Sequence, residues 1–252
     1  MIDVHCHLTE EPLYTQLKMV VEEARQAGVA AIITSGIGYE DCVRVLDISD
    51  NRYIYPTLGI EPYELTGYEM VIDLIVKNRD RIAGVGEVGL DYYIGARDTR
   101  ETQRKVFGEF IELARSLDKP LVVHSRSAGK YALEVLFEHG ADAVVMHAFD
   151  GAASEAEKGA AKGYFFSIPP SVVRSEQKQK MVKRLKLENL LLESDAPVLG
   201  PERGVVNKPS NIRISAETIS RLKNTPVEKV VEVTSENAKF LFKEIRLTNP
   251  LL

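Results

Sequence analysis

Short apolar runs rich in β-branched residues alternate with amphipathic stretches from one end of the chain to the other. The runs that fit strands cover residues 2–4, 29–34, 53–58, 82–86, 121–123, 143–146, 164–167 and 190–192. Between them the apolar spacing lengthens to a helical one, predicting helices over 11–27, 40–48, 68–77, 101–117, 130–138, 153–162 and 177–185. A loop containing Pro and Gly, residues 196–210, follows the eighth run. Two further helical segments come after it, near 214–223 and 227–243. This repeat predicts an α/β protein, a single-domain TIM (β/α)8 barrel over residues 1–245 with an extra C-terminal helix and a loose tail at 246–252. The first strand–helix junction lacks the Gly-x-Gly-x-x-Gly loop of a nucleotide-binding open sheet.

A parallel barrel carries its chemistry at the C-terminal ends of its strands. His5 and His7 follow the first run, Glu87 the fourth, His124 the fifth, His147 the sixth and Asp195 the eighth. The chain has five histidines, so four of the five fall at strand ends. The fifth, His139, precedes Gly140 at the end of a helical stretch and reads as a helix-terminal cation. Strand alternation places His5, His7 and Asp3 on one face and Ile2, Val4, Cys6 and Leu8 on the other, toward the helices. A buried Asp3 would need a partner. The same alternation puts Glu193 beside Asp195. Imidazole nitrogens and carboxylate oxygens converging on one cavity suit a divalent ion with a position open for water. Six candidate ligands exceed what one tetrahedral ion uses, so two ions bridged by a carboxylate are expected, with Glu87 as the bridge.

Composition narrows the function further. The chain has 252 residues, 44% hydrophobic and 27% charged, enough for a large buried core. A net charge of −5 excludes a protein that coats nucleic acid by bulk electrostatics but permits a local basic site. The basic stretch 174–186, with Lys178, Lys180, Lys183 and Arg184, reads either as a solvated helix face flanked by Glu176 and Glu188 or as a nucleic-acid contact. Tyr92, Tyr93 and Phe149 lie beside the polar clusters and are the candidates for stacking bases. Two cysteines, Cys6 and Cys42, require no disulfide framework and suit a reducing compartment. No signal peptide or membrane-length apolar run is evident, so a cytoplasmic location is expected, with no membrane association and no obligate protein partner.

At these residues the sequence resembles the TatD-like deoxyribonucleases of the amidohydrolase superfamily. The matching stretches are Asp3-Val-His-Cys-His7, Gly86-Glu-Val-Gly-Leu-Asp-Tyr92, Val123-His-Ser-Arg126, His147-Ala-Phe-Asp-Gly151 and Leu192-Glu-Ser-Asp-Ala-Pro197. Gln103-Arg-Lys-Val-Phe107 and Asn207-Lys-Pro-Ser-Asn211 agree less closely. The resemblance implies a barrel with one to three divalent ions (zinc, magnesium or manganese) that hydrolyses phosphodiesters, trimming single-stranded or fraying DNA from a 3′ end. It makes His5, His7, Glu87, His124, His147 and Asp195 the metal ligands. Arg126, on the face of His124, suits a phosphate oxygen, with a barrel-rim salt bridge as its bland alternative. One departure stands out. The family usually has Gly-x-His-Pro after the third strand, with the His near the reacting phosphate, and this chain has Gly59-Ile-Glu61-Pro62.

The expected mechanism is metal-assisted hydrolysis. Asp195 would orient or deprotonate the attacking water, and Glu87 would bridge the ions. The same scheme serves an amide or ester. The alternatives are therefore an amidohydrolase acting on a small molecule or aminoacyl ester, with Glu61 receiving an amine, and a non-catalytic metal-binding barrel.

Overall fold

The computed structural model describes residues 1–246. Of the tail expected at 246–252, residues 247–252 lie outside the described residues. Eight parallel strands form one sheet in sequence order. They are β1 Ile2–Cys6, β2 Ala31–Ile37, β3 Ile54–Gly59, β4 Gly84–Gly89, β5 Leu121–His124, β6 Val144–Met146, β7 Phe165–Ile168 and β8 Leu190–Leu192. Each is nearly or wholly buried, as both-face burial in an α/β barrel requires. The helices are α1 Leu17–Gln26, α2 Tyr39–Ile48, α3 Tyr68–Lys77, α4 Arg100–Ser116, α5 Gly129–Glu138, α6 Ala153–Ala161, α7 Glu176–Arg184, α8 Ile212–Lys223 and α9 Val227–Leu241. None of them is long and apolar enough to cross a membrane.

The seam between β8 and β1 closes just past the strand ends. Asp195 N donates to His5 O at 2.9 Å, and His7 N donates to Ala196 O at 2.8 Å. The fold is thus a TIM barrel, as the repeat predicts. Helix α1 begins at Leu17 rather than at residue 11. The segment before it turns instead across the barrel mouth, with Glu10 N on His7 O at 3.1 Å and Tyr14 N on Glu10 O at 3.0 Å. Leu13 anchors this crossing in the core.

The barrel interior has two layers. The lower one is apolar, with Ile2, Val4, Ala31, Ile33, Tyr55, Ala83, Val122, Val145, Phe165 and Leu191 supplied from all eight strand positions. Leu241, Phe242 and Ile245 at the end of α9 pack into the same cluster and cover the base. Arg246 N reaches Tyr55 Oη at 3.2 Å. The upper layer is polar and holds the functional side chains.

The alternation read for β1 needs correction here. Ile2 and Val4 point into the barrel instead of toward the helices, and Cys6 and Leu8 belong to the outer core. The cause is a register irregularity. Asp3 pairs with Ile32 and Cys6 with Thr34, so three steps on β1 match two on β2. The extra residue reverses the alternation, which leaves His5 and His7 inward. Asp3 faces β8 instead, accepting from Ser194 N at 2.8 Å and from Ser194 Oγ at 2.6 Å. Burial pushes its carboxyl up to about 7 despite these hydrogen bonds.

Candidate metal centre

The candidate ligands converge on Glu87. Two glycines let the backbones approach closely enough: a Cβ on Gly59 would lie 2.1 Å from Glu87 O, and one on Gly89 would lie 2.1 Å from His124 O. Glu87 Oε2 sits 3.2 Å from His5 Nε2 and 3.3 Å from His7 Nε2. Its Oε1 sits 2.6 Å from His124 Nδ1 and 3.6 Å from His147 Nε2. Asp195 Oδ1 lies 3.5 Å, 3.7 Å and 3.9 Å from Nε2 of His5, His7 and His147. Three overlapping sets result: His5, His7 and Glu87; His5, His147 and Asp195; Glu87, His124 and His147. Within each set the ligand atoms lie within 4.8 Å of one another.

Outer partners fix which nitrogen faces the centre. His5 Nδ1 lies 3.1 Å from Ser35 Oγ, His7 Nδ1 is 3.2 Å from Ser35 O, and His147 Nδ1 is 2.9 Å from Glu193 Oε2. All three rings therefore turn Nε2 inward. Glu193 is itself held by Ala148 N at 2.9 Å and Ser167 Oγ at 2.5 Å. His124 is turned the other way, with Nδ1 inward and Nε2 on Asp91 Oδ2 at 3.0 Å. Gln103 clamps the Asp91 backbone through Asp91 N at 3.0 Å and Asp91 O at 3.1 Å. The weaker motif around Gln103 thus has a physical role. Strand β2 supplies no candidate ligand, but its Ser35 hydroxyl braces the rings and reaches Thr57 of β3 at 2.7 Å.

His5 Nε2 tests whether the residues suit an ion. It is buried, and despite its closeness to Glu87 it makes no hydrogen bond of acceptable geometry. An unsatisfied buried polar atom costs about 1–3 kcal/mol, and a metal ion would satisfy this one. Electrostatics point the same way. Burial alone would raise the Glu87 carboxyl, yet the imidazoles of His147, His5 and His124 hold it well below the usual carboxylate range. Asp195 is likewise lowered against burial by His147 and His5. Burial opposes protonation of the imidazoles, but Glu87 and Asp195 raise His5 well above its ordinary value. Asp91 and Glu87 lift His124 to about 9. Neutral-nitrogen and carboxylate donors that attract positive charge this strongly fit a divalent cation, which would displace the protons.

The centre forms the floor of a cavity of about 510 Å³, whose walls include Glu10, Glu61, Tyr63, Arg126, Asp150 and Lys178. Glu61 is half-buried and accepts a hydrogen bond from the Tyr63 hydroxyl. Burial raises its carboxyl. Arg126 is exposed, its guanidinium 4.0 Å above the Tyr93 ring. It therefore makes no rim salt bridge among the described residues. The aromatic candidates divide. Phe149 is wholly buried against Phe166, at 5.3 Å between centroids, and cannot stack a base. Tyr92 is half-buried between Tyr131 and Arg100. Tyr93 alone is exposed, at 67%. The basic stretch also divides: Lys180 pairs with Glu176 at 3.7 Å and Arg184 with Glu157 at 2.8 Å on the surface, while Lys178 turns inward. His139 caps α5 and meets Glu112 at 3.1 Å, away from the centre.

Sequence reasoning gave no role to Asp91, Ser35 or Gln103, and saw only the facing of Glu193. The signal for Asp91 was its position inside the Gly86–Tyr92 motif. For Glu193 it was the shared face with Asp195.

Comparison with known proteins bears on this centre. The family model described as TatD related DNase matches residues 2–243. Deoxyribonuclease TATDN3 of Homo sapiens is 41% identical over 262 residues, an alignment covering 98% of this chain and 96% of that protein. An uncharacterized metal-dependent hydrolase of Methanocaldococcus jannaschii is 32% identical over 248 residues, covering 96% of each chain. The crystal structure of the TatD homolog YJJV from Escherichia coli K12 superimposes with a TM-score of 0.89 at 27% identity, covering 96% of this chain and 98% of that one.

Proposed function

The chain belongs to the TatD-related DNase family of metal-dependent hydrolases, and on that premise we propose that it is a deoxyribonuclease removing nucleotides from the 3′ ends of single-stranded or fraying DNA. The observation that carries this reading is the three overlapping ligand sets, two of which share Glu87, on the floor of a cavity that also presents Lys178 and Arg126. We take residues 1–245 as the hydrolase unit. His5, His7, Glu87, His124, His147 and Asp195 would hold one to three ions of zinc, magnesium or manganese. Bound metal lowers the pKa of water toward neutrality and screens the charge of a phosphate. The chain's residues do the rest. Asp195 orients the attacking water and takes its proton. Glu87 gathers the ligand sets through its two oxygens. Arg126 binds a phosphate oxygen from the rim, and Glu193 and Asp91 keep His147 and His124 in register. Both cysteines are buried and free, which supports a reducing, cytoplasmic setting.

The test is metal removal. Chelated protein should lose hydrolysis of 5′-labelled single-stranded DNA by at least about 100-fold, on the scale of a metal's Lewis-acid contribution. Restoring zinc, magnesium or manganese should return a ladder shortening from the 3′ end. Equal activity with and without chelator would sink the proposal, and a mid-chain cleavage pattern would sink its polarity.

The acidic wall of Glu10 and Glu61 favours one second reading, hydrolysis of a small-molecule amide or of an aminoacyl ester whose amine meets Glu61. Glu61→His decides between them. A several-fold rise in DNA hydrolysis would mean that the natural substrate is not ordinary DNA, whereas on the DNA reading the exchange brings no gain. On the second reading an aminoacyl ester should be cleaved by the unaltered protein and about 10-fold less by the variant, the loss of one charge-assisted hydrogen bond.

A further inference from the structure

Lys178 is an exception among the basic residues of α7. Its residue is only 8% exposed, and its ammonium reaches the cavity wall beside His147, Ala148, Asp150 and Asp195. The helix is started by Ser175, whose hydroxyl caps Lys178 N at 3.3 Å, and this sets the side chain facing inward. The ammonium has three donors and one acceptor, Ala148 O at 2.8 Å. Among the described residues no carboxylate lies within ion-pair distance of it. Glu193, Asp150 and Asp195 act on it only from farther away, and burial lowers its affinity for the proton.

A buried ammonium with no anionic partner is costly. Replacing it with an apolar side chain of similar length would relieve that cost, so a cation held here needs a reason outside the free protein. The adjoining cavity supplies one, because its remaining donors border the space above the candidate metal ligands. We propose that Lys178 binds a non-bridging phosphate oxygen of the substrate, so that the bound phosphate completes the ammonium's hydrogen bonding. This rests on the phosphodiesterase reading above and names the residue that recognises the phosphate from the side opposite Glu61. It separates Lys178 from Arg126, which is solvated at the rim and reaches a phosphate only from outside.

The test compares the metal-loaded protein with Lys178→Met and Lys178→Arg, using two substrates and inorganic phosphate as inhibitor. Metal content and Tm are measured alongside. With bis(p-nitrophenyl) phosphate as reporter, the inhibition constant of inorganic phosphate should rise about 10-fold in Lys178→Met and stay near the starting value in Lys178→Arg. With single-stranded DNA, KM should rise by a similar factor, and its salt dependence should become shallower by about 0.7 in log–log slope, one phosphate contact on a single strand. Metal content should be unchanged and Tm equal or higher. Unchanged phosphate inhibition in Lys178→Met would overturn the proposal, as would a parallel loss of bound metal that makes the lysine a structural prop. Failure of the unaltered protein to cleave DNA would instead refute the nuclease reading, while phosphate inhibition of the reporter reaction would still decide the role of Lys178.

Discussion

Asp195→Asn should lower the turnover of single-stranded DNA by about 10²–10⁴-fold, the range supplied by a positioned general base, while KM changes little. Asp195 has the geometry for that role. It is buried, and its Oδ1 faces Nε2 of His5, His7 and His147 across 3.5–3.9 Å. Its backbone is fixed across the seam by the bond from Asp195 N to His5 O. The amide keeps the shape and removes the charge and the basicity. Backbone strain does not confuse the result, because Asp195 has φ +52 and asparagine is among the residues that accept that conformation most readily. Asp195 belongs to one of the three ligand sets, so the other two, which share Glu87, should still retain metal. Turnover and metal content measured on the same sample separate the roles. If the variant turns over DNA at the unaltered rate, Asp195 is not the base; if metal and turnover vanish together, it is a ligand whose catalytic role is secondary.

The second large effect is expected at Glu87, which belongs to two of the three ligand sets. Glu87→Gln should weaken metal retention beyond the roughly 10–100-fold typical of losing an outer partner and bring hydrolysis to background. Its consequences reach the metal-free protein too. Neighbouring imidazoles hold Glu87 well below its ordinary 4.5, so the stability it contributes is present above that value and fades only as pH falls through the lower, folded value. His124 runs the other way. Raised from 6.5 to about 9, it stabilises fully below 6.5 and loses that contribution as pH climbs toward 9. Chelated protein should therefore show its highest Tm between about pH 4.5 and 6.5 and a falling Tm up to pH 9. Glu87→Gln should partly flatten that fall, because one of the anions that raise the imidazoles is gone while Asp91 and Asp195 remain. Metal-loaded protein should hold its Tm through the same range. A chelated protein whose Tm is level from pH 6 to 9 would contradict the assignment of these groups as an electrostatically coupled cluster.

Much of this architecture was legible because barrel strands are buried on both faces and read as dense apolar runs. Among the described residues, all eight strand positions and all nine α-helices follow from that alternation, and helix α3 agrees at both ends. The strand-end rule then carried the polar residues, since the fold converts a place along the chain into a place at one mouth. Two kinds of feature escaped. The first is local irregularity: the additional residue in β1 reverses which side chains face inward, and nothing in Ile2–Cys6 as a string announces it. The second is burial set by distant packing. Phe149 and Tyr93 look equally suited to stacking, yet Phe166 covers one and leaves the other in solvent. Lys178 looks like Lys180 until the turn of α7 sends one inward and the other out. The orienting partners Asp91, Glu193 and Ser35 were hidden for the same reason, because a second layer is defined by what it touches.

The end of α9 gives the barrel a floor. With Leu241, Phe242 and Ile245 seated among the side chains of the lower interior, the described residues form a cup with one opening, not a ring. A polymer cannot be drawn through it. For the nuclease proposed above, the chain end and the released nucleotide would use the same mouth, and a nucleotide that lingers would block its successor. Threading a polymer through the barrel is closed to this architecture.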